Sequence, residues 1–418
     1  MMLPESKKTD LDQRLGALTM PESTGWLQSA REAARERLSV SGLPARRDEY
    51  WRYTDPKAFV QAAPGVVATE NTTEVFADLE AFVITVENGV VSFTGDAPAG
   101  LEISTLASVA TTDIHWAREV YGALEAAGSQ PVVRPLASLN TAYAQDGVLI
   151  RATAPVETPV VIRYAPGEDP ILHHVIRVTA NASMTLLEVG TPGGRGNTVA
   201  EVEVADGGAF HHIRVQGPDD ARHANTHTFA ALGEASTIKS FTLSANGALT
   251  RNEAVITLTG DDAIAHVAGA AFGKGDFHHD DTVFVTHDAE RCESRQVFKK
   301  VLRDGATGVF QGKILVKEGA QKTDGYQISQ SLLLDDDSVF LAKPELEIYA
   351  DDVACSHGST TGAIDETALF YLRSRGVPKR VATDLLVLSF LAEALDEIED
   401  DDLRERVSDY LADWLAQQ

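Results

Sequence analysis

A cysteine and a histidine two residues apart carry the strongest chemical signal in the sequence, in the segment Asp351-Asp-Val-Ala-Cys-Ser-His357. If this segment is extended, Asp351, Cys355 and His357 point to one face, because side chains alternate along a strand. Thiolate and imidazole together suit zinc, iron or an iron–sulfur cluster. Two ligands are too few for a closed structural site, which typically has four. The segment predicts an open site that another chain completes; the alternative is a buried cysteine beside a hydrogen-bonded histidine.

Histidine also occurs in adjacent pairs, at His173/His174, His211/His212 and His278/His279. In a strand, the two members of each pair face opposite sides of the sheet. Stacked pairs could form a metal site, but the sequence shows no converging set of ligands. We therefore expect these histidines to be solvated or hydrogen-bonded.

Phosphate-binding loops are the next chemistry to consider. Residues 269–274 read GAAFGK, one residue short of the Walker A spacing, and Gly275 stands where Ser or Thr would bind magnesium. The glycine-rich loop at 190–196 opens no helix, so we interpret it as a turn. We expect a chain that does not hydrolyse ATP and is not an enzyme by itself.

Composition narrows the class of partner and the compartment. A formal net charge of −26 repels nucleic acid and anionic membranes. Two cysteines, Cys292 and Cys355, give no disulfide framework. Residues 1–10 are polar and lack the apolar core of a signal peptide, and no apolar run reaches the roughly 20 residues that span a bilayer. These features predict a cytoplasmic protein without nucleic-acid or membrane partners.

Three regions with different periodicity must position these residues. Residues 1–130 are mixed and mostly helical, with helical patterns at 26–38 and 101–124 and a hairpin turn at Asn88-Gly89. Residues 361–418 are helical: Asp365 suits an N-cap, and a helical stripe of apolar residues follows at Val381, Leu385, Leu388, Leu391, Leu395 and Ile398.

Between them, residues 131–360 form a long series of short β-rich runs with no helix-length amphipathic segment after any of them. Such a series favours a β-solenoid, which lengthens coil by coil, over a closed barrel of fixed size. The runs lie at 160–164, 175–178, 184–189, 199–204, 210–215, 237–243, 254–258, 282–285, 297–302 and 309–316.

The stretch 293–391 closely resembles the SufB/SufD family of iron–sulfur cluster assembly proteins. The matching pieces are Ser294-Arg-Gln, Phe310-Gln-Gly, Ala320-Gln-Lys-Thr-Asp, Lys343-Pro-Glu-Leu-Glu-Ile, the segment from Ala350 through Cys355 and His357 to Gly362, and Phe370-Tyr-Leu-Arg-Ser-Arg-Gly. Arg47-Asp-Glu-Tyr-Trp-Arg-Tyr-Thr54 is similar to the N-terminal segment of the SufD branch. The N-terminal signature of the SufB branch, and its further cysteine in the β-core, are absent from this sequence.

The resemblance implies a mainly β fold, a right-handed parallel β-helix flanked by helical N- and C-terminal domains. It implies a scaffold subunit that pairs with SufB and docks the SufC ATPase, with a homodimer when isolated. Cys355 and His357 then lie at the SufB interface as ligands of transient iron or a nascent cluster, the histidine being the more important. No stably bound cofactor is expected, and whether the complex carries FADH2 is open.

The resemblance also assigns the helical segment 365–398 to ATPase docking, through Phe370, Tyr371, Arg373, Arg375, Val381, Leu385 and Leu388. Three alternatives stay open: the SufB paralogue, a β-solenoid with a purely structural or interaction role and no metal, and a β-helical carbohydrate lyase or hydrolase. The last class is usually secreted, and its groove carries clustered carboxylates or basic residues.

Overall fold

The N-terminal part of the chain forms short helices. The structure, a computed structural model, describes residues 3–63, 75–165, 167 and 169–417. α2 and α6 pack together around a shared apolar core that includes Leu27, Leu38 and Leu139. The helices are α1 Glu5–Gly16, α2 Gly25–Ser41, α3 Lys57–Val60, α4 Leu106–Val109, α5 Ala123–Gly128 and α6 Pro135–Tyr143, with 3₁₀ turns at Glu49–Trp51 and Trp116–Glu119.

The strands form two sheets. Sheet 1 has the order β19-β17-β15-β13-β11-β9-β7-β5-β1-β2, and sheet 2 has the order β18-β16-β14-β12-β10-β8-β6-β4-β3. The strands are β1 Phe82–Glu87, β2 Val90–Phe93, β3 Leu101–Thr105, β4 Val148–Ala152, β5 Val160–Tyr164, β6 Ile171–Val178, β7 Ser183–Val189, β8 Arg195–Val204, β9 Ala209–Gln216, β10 His223–Leu232, β11 Thr237–Ala245, β12 Leu249–Leu258, β13 Ile264–Lys274, β14 His278–His287, β15 Glu293–Arg303, β16 Thr307–Val316, β17 Asp324–Leu333, β18 Val339–Ile348 and β19 Ala354–Ala363.

Each coil of the chain adds one strand to each sheet, which makes a β-solenoid of about seven turns. From β5 onward, neighbours in sheet 1 are parallel, and aligned positions recur every 26 to 31 residues, at Ser183, Ala209, Thr237, Ile264, Glu293, Asp324 and Ala354. The inner faces of the sheets meet in a lumen, where the rings of Phe298 and Phe310 lie 5.0 Å apart. The predicted parallel β-helix with helices at both ends is confirmed.

The outer faces of the two sheets are covered by different parts of the chain. On sheet 2, Trp51 stacks on the guanidinium of Arg251 at 4.4 Å, and the Thr54 hydroxyl donates to Asp280 at 2.6 Å. Sheet 1 is covered by α8 Lys379–Leu395 and α9 Asp401–Ala416, with Trp414 against Phe272. α7 Glu366–Ser374 packs on α8.

Several local predictions can be checked directly. β1 and β2 form the predicted hairpin, with Asn88 and Gly89 at positive φ as a type I′ turn requires. Asp365 caps α7, accepting from the backbone N–H groups of Thr367 and Ala368. The prediction of helix across 101–124 is wrong at its start, because residues 101–105 form β3 and pair antiparallel with β4.

The boundaries of the regions are less sharp than the sequence pattern suggested. Strands from residues 82–105 belong to the same two sheets as the solenoid, and α6 lies inside the segment 131–360. The last strand ends at Ala363, close to the proposed boundary at 361. The division into domains at residues 131 and 361 stays a prediction.

Candidate metal and partner site at the open end

The last coil leaves two strands with one neighbour each. β19 pairs only with β17, and β18 pairs only with β16, so among the described residues the far edge of both strands is unpaired. Unpaired edges expose rows of backbone N–H and C=O groups that another chain can pair with. β18 contains Pro344, which lacks an N–H and is tolerated only at such an edge. We call this end of the solenoid, formed by β18 and β19, the open end.

Cys355 and His357 lie on β19 and point to the same side, as predicted. Their register partners on β17 are Gly325 and Gln327. These two residues lie on the face of β17 that points into the lumen. Both side chains therefore lie over the mouth of the lumen, and Ser356 lies on the opposite face. The prediction that Asp351 shares this strand is wrong, because β19 begins at Ala354 and residues 351–352 form a bend.

Cys355 is half-buried in a small apolar cluster with Ile314, Val316, Ala320 and Ala350. Burial raises the pKa of its thiol, as does the nearby Asp324 carboxylate, although the backbone of Gly325 opposes the rise. The thiol is therefore protonated near neutral pH. A metal that bound here would have to displace that proton.

His357 is exposed, and its imidazole makes no hydrogen bond within the described part of the chain. Imidazole nitrogen is a common metal ligand, so this exposed side chain is available to bind one. Beyond it on β19, Ser359 and Thr361 point the same way and hydrogen-bond to Ser329 and Ser331 at 2.7 and 3.3 Å. The mouth of the lumen is thus lined by polar groups.

No group of three or more His, Cys, Asp or Glu side chains arranged to hold a metal ion exists among the described residues. Cys355 and His357 supply two donors, fewer than the four that typically close a structural site. The geometry fits a site that needs ligands from a second chain. That these two residues hold iron stays a prediction.

The three histidine pairs are used by the fold itself. His174, His212 and His279 face the lumen, where His212 contacts Glu188 at 2.8 Å and His279 contacts the buried Lys300 at 2.7 Å. Their neighbours face outward: His173 packs on Tyr121, and His278 lies 3.0 Å from the hydroxyl of Thr54. The expectation of hydrogen-bonded histidines holds for these contacts, and among the described residues no pair belongs to a group of three or more side chains that could hold a metal ion.

The helical segment after the solenoid exposes apolar side chains. On α7 only Leu369 is buried, while Phe370 is 73% and Tyr371 is 55% exposed. The start of α8 exposes Val381 and Leu385 at 45% and 47%. The predicted stripe on α8 therefore divides: Leu388 is half-buried, and Leu391, Leu395 and Ile398 lie in the core against sheet 1.

Positive charge surrounds this apolar surface. Arg373, Arg375 and Lys379 are exposed, and among the described residues none of them has an ion-pair partner. The guanidinium of Arg375 lies over the ring of Tyr371 at 4.6 Å. We call the surface made by Phe370, Tyr371, Arg373, Arg375, Val381, Leu385 and Leu388 the docking surface. Exposed apolar patches rimmed by polar groups mark interaction sites on soluble proteins.

Sequence reasoning missed the polar groups inside the last coils. Gln296, Lys300 and Gln327 point into the lumen and are all at most 1% exposed. The signal was present as polar residues at alternate positions of β15 and β17. Such alternation does not by itself predict a polar lumen, because buried polar residues are normally uncommon.

No helix among the described residues is long and apolar enough to cross a membrane. The cytoplasmic location stays a prediction.

Comparison with known proteins places these features in a family. The model for the SufBD core domain of the SUF iron–sulfur cluster assembly system matches residues 165–390, and the model for the SufBD N-terminal region matches residues 5–162. The iron–sulfur cluster assembly protein SufD of Escherichia coli is 28% identical over 383 residues, which is 89% of each chain. A SufBD family protein of Synechocystis is 28% identical over 94% of this chain and 93% of its own length. The chloroplastic protein ABCI7 of Arabidopsis thaliana is 25% identical over 94% of this chain and 86% of its own.

Proposed function

Because this chain belongs to the SufBD family of iron–sulfur cluster assembly proteins and is most like SufD, we propose that it is a non-catalytic scaffold subunit. In this role it pairs with a SufB-type subunit and docks a SufC-type ATPase. The observation that carries the proposal is the open end of the solenoid. It presents an exposed histidine and a half-buried cysteine beside two unpaired strands.

Pairing with the SufB-type subunit would use β18 and β19. Both are ten residues long, and both lack a second neighbour among the described residues. Val339, Ile348 and Tyr349 add apolar surface there, being 43%, 39% and 61% exposed. A strand from a partner could complete each sheet, as in other cases of strand addition. The interface would then bring ligands from the partner to Cys355 and His357.

Transient iron, or the cluster under assembly, is the cargo of this site rather than a resident cofactor. His357 would bind first, since its side chain is exposed while Cys355 is half-buried. Cys355 would follow as the metal displaces its proton. An open site with few ligands from one chain suits a scaffold, because a cargo held by four strong ligands would be slow to leave.

The ATPase would bind to the docking surface. Its apolar centre is formed by Phe370, Tyr371, Val381 and Leu385, and aromatic anchors of this kind typically dominate binding energy. α7 contacts α8, which in turn packs on β13 and β15 of sheet 1. A shift of α8 caused by the ATPase would therefore act on the solenoid two coils before the open end.

Deletion of residues 365–418 is not a clean test of docking. Val387, Leu391, Leu411 and Trp414 are buried against the outer face of sheet 1. Removing them would expose that apolar face to water and destabilise the β-core. Point substitutions on the docking surface separate docking from folding, because those side chains are mostly exposed.

The decisive experiment is anaerobic co-expression of the full chain with the SufB-type and ATPase subunits, followed by gel filtration and iron–sulfur reconstitution. We expect a complex of all three subunits that assembles a cluster. Substituting His357 by Ala should leave the complex intact and remove its capacity to hold the cluster. A chain that formed no such complex, or only a homodimer under these conditions, would contradict the proposal.

A further inference from the structure

Two glutamines inside the last coils have no protein partner. Gln296 on β15 and Gln327 on β17 are 0% exposed, and neither amide nitrogen nor amide oxygen of either residue has a hydrogen-bond partner within the described residues. Buried polar groups are almost always hydrogen-bonded, either to protein or to ordered water. Four such atoms in one place point to a hydrated site.

The fold makes room for these amides. A Cβ atom at Gly312, on the opposite sheet, would lie 2.5 Å from Oε1 of Gln327, so that any larger residue would clash. A Cβ atom at Gly325, next to Gln327 along β17, would lie 3.1 Å from Sγ of Cys355. Glycine at both positions leaves the space that the amide of Gln327 and the thiol of Cys355 occupy.

The two glutamines lead to the proposed metal ligand. Gln296 pairs in register with Gln327, and Gln327 pairs in register with His357. Adjacent strands lie about 4.8 Å apart, so these three side chains form one file along the lumen. The file begins in the buried interior and ends at the exposed imidazole.

A histidine that binds metal usually donates its other ring N–H to an acceptor, which fixes the tautomer and the orientation of the ring. The imidazole of His357 makes no hydrogen bond within the described part of the chain. Within this row of three side chains, the buried amide next to His357 is that of Gln327, which has no hydrogen-bond partner among the described residues. A water molecule can bridge two polar groups that lie beyond direct hydrogen-bond distance, and the register places the side chains of Gln327 and His357 side by side.

We propose that Gln296 and Gln327 bind ordered water in the last coils, and that this water accepts the ring N–H of His357 and leaves the other ring nitrogen free for iron. Gln327 is then a positioning residue of the site, acting through His357. This inference rests on the proposed function, since it concerns how His357 is presented to its cargo. Gly312 and Gly325 support this arrangement, because larger residues there would crowd Gln327 and Cys355.

The test uses Gln327→Met, which keeps the length and flexibility of the side chain and removes its polar atoms. Gln296→Met is the second variant, expected to have a smaller effect and to serve if the first misfolds. Gln330→Met is the matched control, because Gln330 lies on the same strand but faces outward, where it accepts from Lys299.

The first readout needs no metal. Histidine ¹⁵N resonances of the full chain report the ring tautomer of each imidazole, and His357→Ala identifies the signal of His357. We expect one dominant tautomer in the wild type and in Gln330→Met, and a mixture in Gln327→Met. The second readout is anaerobic Fe²⁺ affinity of the assembled complex, which should fall roughly tenfold in Gln327→Met. The melting temperature should stay close to that of the wild type, because methionine fills nearly the same buried volume.

The outcomes separate the two ideas. If iron binding depends on His357, while the tautomer and the affinity are the same in Gln327→Met as in the wild type, the positioning role is wrong and the proposed function stands. If iron binding does not depend on His357 at all, the proposed metal site itself is wrong. A loss of affinity together with a lower melting temperature and an unchanged tautomer would show a structural role for Gln327 and overturn the inference.

Discussion

The two ends of the solenoid differ in whether the chain itself covers the terminal strands. At the first end, β2 and β3 add short antiparallel strands, and Phe82, Val91 and Leu101 are buried there. The Asp146 carboxylate closes this end by accepting from the backbone N–H groups of Val91 and Ala107. At the open end, β18 and β19 are long and parallel to their neighbours. Most residues of β19 are exposed, most of β18 are half-buried, and His357 lies on the mouth of the lumen.

The difference suggests a division of labour. Where the chain completes its own sheets with apolar side chains, those residues serve stability, and substitutions there should change folding more than function. Where it leaves strands unpaired and polar, the residues serve a partner or a cargo, and substitutions should change function more than folding. The experiments below test whether stability and function are separated between the two ends in this way.

The largest effect is expected for His357→Ala. The side chain is exposed and has no hydrogen-bond partner in the described part of the chain, so stability should change by less than about 0.5 kcal/mol, as for most surface sites. Cluster assembly should nevertheless be lost. Complementation of a deletion strain under iron limitation measures this loss, and gel filtration checks that the complex forms.

Cys355→Ala should have a milder effect on the same growth assay, because burial raises the pKa of the Cys355 thiol and makes it the slower ligand. Ser356→Ala, on the opposite face of β19, is the control. Full growth of the His357→Ala strain would leave the open end as a purely structural contact.

The next largest effect should come from the docking surface. Phe370→Ala combined with Tyr371→Ala removes two exposed rings, and aromatic hot spots are typically worth about 2 kcal/mol or more, which is roughly 30-fold in Kd. Calorimetric titration with the ATPase measures the change. The melting temperature should stay the same. Val90→Ala, an exposed apolar residue at the first end, should leave ATPase binding unchanged; a comparable loss there would mean that the docking surface is misplaced.

A smaller effect is expected from charge on the same surface. Arg373 is exposed and is one of a group of cations on a chain of net charge −26, so a partner for this surface should be acidic. Arg373→Glu should slow association with the ATPase roughly threefold at low salt, with less difference at high salt. Lys57→Glu is the control, because it reverses the charge of an exposed side chain on the N-terminal helices. Equal effects of the two reversals would indicate net charge rather than a local contact.

The smallest functional effect should come from Glu201, under the N-terminal cover of sheet 2. Burial raises the pKa of Glu201 to about 8, and its Oε1 accepts from the backbone N–H of Gly122 at 2.7 Å. Between pH 4.5 and 8 the folded protein keeps a proton that the unfolded chain loses, so stability falls as pH rises, by up to about 1.4 kcal/mol per pH unit.

Glu201→Gln should flatten that dependence without changing cluster assembly. Urea unfolding at pH 5 and pH 8 measures it, with Glu203→Gln, a partly exposed neighbour on β8, as the comparison. If the Glu201→Gln variant lost cluster assembly but kept its stability, a functional residue would lie on the covered face of sheet 2. Function would then not be confined to the open end.

Much of the fold followed from local patterns. The turn at Asn88-Gly89 and the cap at Asp365 needed only their own neighbours. Most apolar strands showed as short runs, but β4 and β13 were not among the predicted runs. β10 and β17 were not predicted. Their lumen-facing residues include Thr226, Gln327 and Ser329, and these polar side chains hide the alternation of apolar and polar residues that indicates a strand. β18 was not predicted either, since Pro344 normally argues against a strand and is allowed here only by the unpaired edge.

The site could be predicted in part. The shared direction of Cys355 and His357 followed from strand geometry alone. Their place over the lumen could not, because it depends on which face of β17 turns inward and on the absence of a further coil beyond β19 among the described residues. The division of the stripe on α8 was likewise set by packing against sheet 1, which covers Leu391 but leaves Leu385 in solvent.

The stacking of coils has a dynamic consequence. In an array where each unit touches only the units next to it, stability is a sum of nearest-neighbour terms, and a terminal unit has one such term where inner units have two. α8 packs on β13 and β15, and within the described part of the chain it has no comparable contact with β19. The last coil should therefore fray first, and its amide hydrogens should exchange fastest within the solenoid. A partner at the open end would supply the missing neighbour, so that binding would be measured as slowed exchange along residues 339–363 before any cargo arrives.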